Sequence, residues 1–104
     1  MKEITPSELQ ALLAGEAPPL LVDVREPVEA SIAQIAGSQL IPMGSLPQRL
    51  QEIPTERPVA LYCHHGMRSQ YAAEWLERQG YETLSLTGGI DRWAAELEPT
   101  MPRY

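Results

Sequence analysis

The chain has one cysteine, Cys63, among 104 residues, and without a second it can form no internal disulfide. That excludes a cross-linked extracellular scaffold and points to a reducing, cytoplasmic setting in which a lone thiol stays available. Long apolar runs are also missing. No stretch approaches the roughly 20 residues needed to span a bilayer, so no membrane partner is expected. The opening Met1-Lys2-Glu3-Ile4-Thr5-Pro6 lacks the apolar centre of a signal peptide. Basic residues are scarce, eight against fourteen acidic ones, for a net charge of −6. Nucleic acid, whose phosphates need a basic surface, is therefore not expected as a partner. There is no internal repeat and no low-complexity tract. What remains is a chain of single-domain size, read as one domain over residues 1–104, with an ordinary 43% of hydrophobic residues.

The ten prolines are scattered as punctuation, and between them short apolar runs alternate with helical spacing. Thr5-Pro6-Ser7-Glu8 reads as a helix start, with Thr5 as cap, Pro6 in first position and Glu8 completing a capping box. Leu9, Leu12 and Leu13 then share a face up to Gly15. Leu20-Leu21-Val22-Asp23 is an unbroken apolar run, the mark of a strand covered on both faces. A helix is expected from Pro27 through Ala33, a weak strand at Gln39-Leu40-Ile41, and another helix from Ser45 to about Ile53. Val59-Ala60-Leu61-Tyr62 is the clearest buried strand. From Ser69, the residues Tyr71, Ala72, Trp75 and Leu76 follow helical period, with Gly80 placed to terminate. Thr83-Leu84-Ser85-Leu86 is a last strand, turned by Gly88-Gly89 into a helix through Trp93. Both tryptophans are expected in the core.

Strands alternating with helices predict an α/β fold, a mostly parallel sheet with helices on both faces. Ligands bind such folds beyond the carboxyl ends of the strands. Asp23 to Arg25, Cys63 to Arg68 and Thr87 to Gly89 all fall there, so three segments converge on one edge.

The sequence Cys63-His64-His65-Gly66-Met67-Arg68-Ser69 suits a sulfur anion. In a tight strand-to-helix turn, successive amides form a concave nest for negative charge, and the helix start adds its dipole. Gly66 allows a positive φ or a close backbone approach. Arg68 brings a charged fork for two oxygens of an oxyanion, and Cys63 supplies a nucleophile. A lone cysteine is commonly just a small buried hydrophobe, but a polar loop is a poor place to hide one. His64 and His65 are read as loop-shaping or substrate-contacting groups, since a pre-existing thiolate needs no general base. A metal site is not expected, because the contiguous Cys63, His64 and His65 have no distant cysteine or histidine to complete a tetrahedral set. Arg25 has two even readings, a surface pair with Glu26 or Glu29 and a place in the pocket. Asp23 reads as a partly buried ion-pair partner or hydrogen-bond acceptor holding the loops together.

Three segments resemble the single-domain rhodaneses, a sulfurtransferase family. They are Leu21-Val22-Asp23-Val24-Arg25-Glu26-Pro27, the Cys63–Ser69 loop, and Gly88-Gly89-Ile90 with Trp93, and the likeness spans about residues 3 to 95. The resemblance implies a rhodanese-like sheet of about five strands and a two-step reaction; with no histidine pair at metal spacing and no nucleotide loop, no dissociable cofactor is expected. Cys63 would take the outer sulfur of a small anionic donor such as thiosulfate, or of a protein persulfide, and pass it to cyanide or an acceptor thiol. The amides of residues 64 to 68 would cradle that sulfur. Arg68 would line the pocket together with His64, His65, Gly66 and Met67, Arg25 is a candidate contact for the donor's oxygens, and Asp23 and Ser69 would support the loop. The chain departs from the family where such domains often carry Gly-His-Ile-Pro-Gly-Ala: here the segment is Ala33-Gln34-Ile35-Ala36-Gly37-Ser38. Two rivals remain. Phosphatases of this fold resemble the chain but carry five residues between cysteine and arginine, against four here, His64 through Met67. The other is non-enzymatic, either an interaction module, which in this fold usually lacks the cysteine, or a sulfur carrier that relays sulfur from one protein to another.

Overall fold

A computed structural model describes residues 1–104. Five parallel strands, β1 (Lys2–Ile4), β2 (Leu20–Asp23), β3 (Gln39–Leu40), β4 (Val59–Tyr62) and β5 (Thr83–Leu86), form one sheet in the order β1-β5-β4-β2-β3. The helices are α1 (Pro6–Leu13), α2 (Pro27–Ile32), α3 (Met67–Arg78) and α4 (Gly89–Leu97). The expected α/β architecture is therefore present. No helix is long and apolar enough to cross a membrane.

Local chemistry explains most boundaries. Thr5 caps α1 as expected: its hydroxyl accepts the Glu8 amide at 3.2 Å, and the Glu8 carboxylate accepts the Thr5 amide at 2.8 Å. β4 is buried at all four positions because parallel strands are covered on both sides. Its alternating side chains feed two cores. Val59 and Leu61 join Val22, Val24, Ala72, Ala73 and Leu76 beneath α3. Ala60 and Tyr62 join Leu9, Leu21, Ile90 and Trp93 beneath α1 and α4. Trp93 is buried as expected, while Trp75 is half-buried against the α3-side core.

Several expectations need correction. The segment from Ser45 to Ile53 is two short 3₁₀ turns, Met43–Ser45 and Leu50–Glu52, and not one helix. Pro47 has no amide to extend the first turn, and the i→i+3 bonds on either side stay local. β1 went unforeseen: three residues are too few for a readable period, and the strand is specified by pairing Ile4 with Leu86 across the sheet. Helix α3 begins two residues before Ser69, and α4 runs four residues beyond Trp93. Leu12 and Tyr71 are exposed at 42% and 64%, so the apolar faces of α1 and α3 are narrower than the spacing suggests. Gln34 and Ala36, the departures from the family pattern, are both exposed.

Candidate active site

Strand periodicity places the thiol. Cys63 follows β4 in the same alternation as Val59 and Leu61, so its side chain enters the α3-side core and is only 1% exposed. This corrects the expectation that a polar loop would keep it out of the core. The chain then turns sharply into α3 through Gly66, whose φ of 108° is a left-handed value that favours glycine. The turn wraps the sulfur. The Gly66 amide donates to Sγ at 3.1 Å and the Ser69 amide at 3.3 Å. The two donors on sulfur thus reach one residue beyond the expected 64–68 span. The amides of His64, His65, Met67 and Arg68 have no acceptor within the protein. The Ser69 hydroxyl, 3.6 Å from Sγ, donates to the Gly66 carbonyl and shares a hydrogen bond with buried Ser85. On the solvent side Cys63 borders an open cavity of about 510 Å³ lined by Met43, His64, His65, Met67, Arg68 and Tyr71.

The third segment docks on the loop through its backbone. The Ile90 and Asp91 amides, at the start of α4, donate to the carbonyls of Cys63 and His64 at 2.9 and 3.1 Å. A Cβ at Gly89 would overlap those same carbonyls, so only glycine permits the approach.

Beneath the loop lies a buried ion pair. Arg25 and Asp23 are both fully buried, and the Arg25 Nε and Nη2 donate to the two Asp23 oxygens at 2.9 and 2.7 Å. Its remaining N–H groups go to the carbonyls of Glu29 and Ala33 and to the Tyr104 hydroxyl. All five side-chain donors are thereby placed. Burial opposes the charge on Arg25, but the hydrogen bonds it donates to Asp23 and Tyr104 outweigh it and hold the guanidinium more firmly protonated than usual. Arg25 is neither a surface residue nor a wall of the cavity, which corrects both readings of it. Tyr62 completes this layer, donating to Asp23 at 3.2 Å and accepting from the Ile35 amide. Burial raises its phenol to about 12.

Arg68 does border the cavity, but not as a free cation. Nη1 and Nη2 donate to the two oxygens of Glu29 at 2.7 and 2.8 Å. The Arg68 hydrogen bonds lower the Glu29 carboxyl to about 2. Tyr104 joins the two arginine layers: its hydroxyl accepts from Arg25 and donates to Glu29, both at 2.9 Å. Its ring stacks on His64 at 3.8 Å, and His64 stacks in turn on His65. The His64 Nε2 atom is buried without a partner, and burial followed by the neighbouring His65 makes this imidazole harder to protonate. Asp91, distant in sequence, brings its carboxylate to His64 and His65 so that all ligand-type atoms fall within 4.8 Å of one another, a grouping that the contiguous loop residues alone do not suggest. One Asp91 oxygen is held by Arg103 at 3.0 Å. The sequence alone offers no place for Asp91 or Tyr104, and offers Glu29 only as a partner of Arg25 and not of Arg68. The Glu26-x-x-Glu29 spacing of a capping box signals a helix end, and nothing local signals the other two.

A family model for the rhodanese-like domain matches residues 5–96. The chain belongs to the rhodanese-like domain family. A curated relative from Allochromatium vinosum named sulfurtransferase is 41% identical over 95 residues, covering 90% of this chain and 89% of the relative. The thiosulfate sulfurtransferase GlpE of Ectopseudomonas mendocina is 35% identical, covering 90% of this chain and 85% of its own. Among solved structures, a rhodanese-like domain protein from Staphylococcus aureus superposes with a TM-score of 0.85 at 33% identity, over 89% of this chain and 91% of that one. In this rhodanese-like domain the matched span includes all the cavity-lining residues, but not Tyr104, which reaches the site from beyond it.

Proposed function

We propose that the protein is a sulfurtransferase. It takes a sulfane sulfur from thiosulfate or a persulfide donor onto Cys63 and passes it to a thiophilic acceptor, cyanide or a thiol. One observation carries this reading: the Cys63 sulfur accepts two backbone amides at the floor of an open cavity. Backbone N–H groups at a helix start favour negative charge and remain fixed during reaction. The Cys63 thiolate attacks the outer sulfur of the donor, a new S–S bond forms, and the donor's S–S bond breaks with the electron pair leaving on sulfite or a thiolate. The transferred sulfur then stands about 2 Å beyond Sγ, on the cavity side, where the unpartnered amides of residues 64, 65, 67 and 68 offer it hydrogen bonds. An acceptor thiolate or cyanide removes it by the reverse displacement.

In this reading His64, His65 and Met67 contact the substrate, Arg68 borders it, and Ser69 and Asp23 support the loop. Arg25 is withdrawn as a donor contact. The names of the relatives support sulfur transfer as the chemistry, and a reducing, cytoplasmic setting suits a thiol that must stay free. The four-residue interval from Cys63 to Arg68 makes a tighter ring than a tetrahedral phosphate needs. The test is mass spectrometry of the protein after exposure to thiosulfate and to a persulfide. One added sulfur on Cys63, lost on adding cyanide and absent in Cys63→Ser, is the expected result. No adduct with either donor, or turnover of an aryl phosphate, would refute the proposal.

A further inference from the structure

The cavity beside Cys63 is bordered by one guanidinium, and its charge is already met. Arg68 grips both Glu29 oxygens in a two-pronged pair. Glu29 is fixed from two further sides: Oε1 accepts the Glu26 amide at 3.0 Å, and Oε2 accepts the Tyr104 hydroxyl at 2.9 Å. Swinging this carboxylate aside would break all of these bonds. Arg25 cannot substitute, because its five donors are placed elsewhere. The remaining lining is mixed, with His64 and His65 on the loop and an apolar side made by Met43, Met67 and Tyr71. Met67 and Tyr71, one helical turn apart on α3, are 70% and 64% exposed, and Met43 stands with them.

Thiosulfate arrives with two negative charges and departs as sulfite, which also carries two. The loop amides serve the sulfur end of such a donor, but its oxygens call for positive charge beyond them, and here the arginine and its carboxylate sum to zero. A thiol persulfide carries at most one negative charge, on the sulfur that the loop amides cradle, and has no oxygens for an arginine to hold. It delivers its sulfur from a carbon-bound sulfur, and its carbon portion fits walls of methionine and tyrosine. We infer that Glu29 is a specificity-determining residue, which by holding Arg68 turns the site from oxyanion donors toward thiol persulfides with uncharged, apolar carriers. This rests on the sulfur-transfer reading of Cys63 and names its donor. In the step itself, the Cys63 thiolate attacks the terminal sulfur of R–S–SH. The bond to Sγ forms, the donor's S–S bond breaks, and R–S⁻ leaves with the bonding pair. The proton stays on the transferred sulfur. The sulfane sulfur keeps its oxidation level, so no oxidant takes part.

The experiment measures kcat/KM for thiosulfate and for the persulfide of N-acetylcysteine methyl ester, with one common acceptor, in the wild type and in Glu29→Gln. The wild type is expected to favour the alkyl persulfide. Glu29→Gln, which frees Arg68, is expected to raise the thiosulfate-to-persulfide ratio by about tenfold or more, the scale of a hydrogen bond to a charged group. A wild type that favours thiosulfate overturns the inference. So does a ratio unmoved in a variant that keeps the wild-type circular dichroism and cooperative melt. Should Glu29→Gln fail to fold, calorimetric titration of thiosulfate into Cys63→Ser decides: millimolar or tighter binding overturns the inference, and absence of binding supports it. Failure of both donors to add sulfur to Cys63 is a different result, and removes the sulfur-transfer reading along with this one.

Discussion

Arg25 and Arg68 reach the same edge of the sheet and are held in opposite ways. Arg25 is sealed under the loop with every donor satisfied, and its carboxylate partner Asp23 is equally buried. Arg68 lies on the cavity rim, 35% exposed, with a single carboxylate partner that water can also reach. Both pairs are two-pronged, so geometry alone does not separate them. Solvent does. A charge pair shut away from water depends entirely on its partner, because nothing replaces a lost one, whereas at the rim water can solvate a charge whose partner a mutation has removed. The buried pair therefore reads as a fastener for the loops that carry Cys63, and the rim pair as a wall of the cavity that faces solvent.

The largest test breaks the fastener. Asp23→Ala leaves a guanidinium buried with no counter-charge, which costs about 3–5 kcal/mol, a large part of the ~5–15 kcal/mol that holds such a domain folded. Urea unfolding should show a midpoint far below wild type. A loss under ~1 kcal/mol would mean that water reaches Arg25 and that the contrast between the two arginines is false.

Tyr104 spans the two layers and offers a smaller test. Tyr104→Phe removes the hydroxyl bonded to Arg25 and Glu29 but keeps the ring that stacks on His64. A loss of about 1 kcal/mol is expected, or ~4–8 °C in Tm for a domain of this size. An unchanged Tm would show that the hydroxyl ties nothing together.

How much of this was legible beforehand depends on whether the signal lay along the chain or across it. The strand Val59–Tyr62 and the α1 cap were readable because an apolar run and a Thr-x-x-Glu spacing are local facts. So was Cys63 as the centre of interest, since its loop carries the relevant chemistry contiguously. Burial was misjudged where it depends on phase: Cys63 continues the strand's alternation into the core, which the polar residues after it concealed. The partners of the arginines were the least accessible. Glu29 lies 39 positions from Arg68, and Tyr104 lies 79 from Arg25, distances over which only the assembled sheet decides who meets whom. The segment at 45–53 failed for the opposite reason. Its composition suits a helix, but Pro47 breaks the bond ladder and leaves local turns.

The smallest test uses pH to isolate the rim pair. The Arg68 hydrogen bonds hold the Glu29 carboxyl at about 2 in the folded protein, against an ordinary value of 4.5. A carboxyl depressed by folding favours the folded state whenever it is ionised. Its contribution is therefore fully present above the unfolded value of 4.5, and disappears as pH falls toward 2. The difference in urea midpoint between wild type and Glu29→Gln should accordingly be constant from pH 7 down to about 5, then shrink as the acid limb is entered. Its size should stay under ~1 kcal/mol, because this pair is partly solvated, and added salt should reduce it at neutral pH. The buried pair should be nearly indifferent to salt, because ions screen poorly where water is excluded. A salt response of Asp23→Ala as large as that of Glu29→Gln would erase the distinction between fastener and wall.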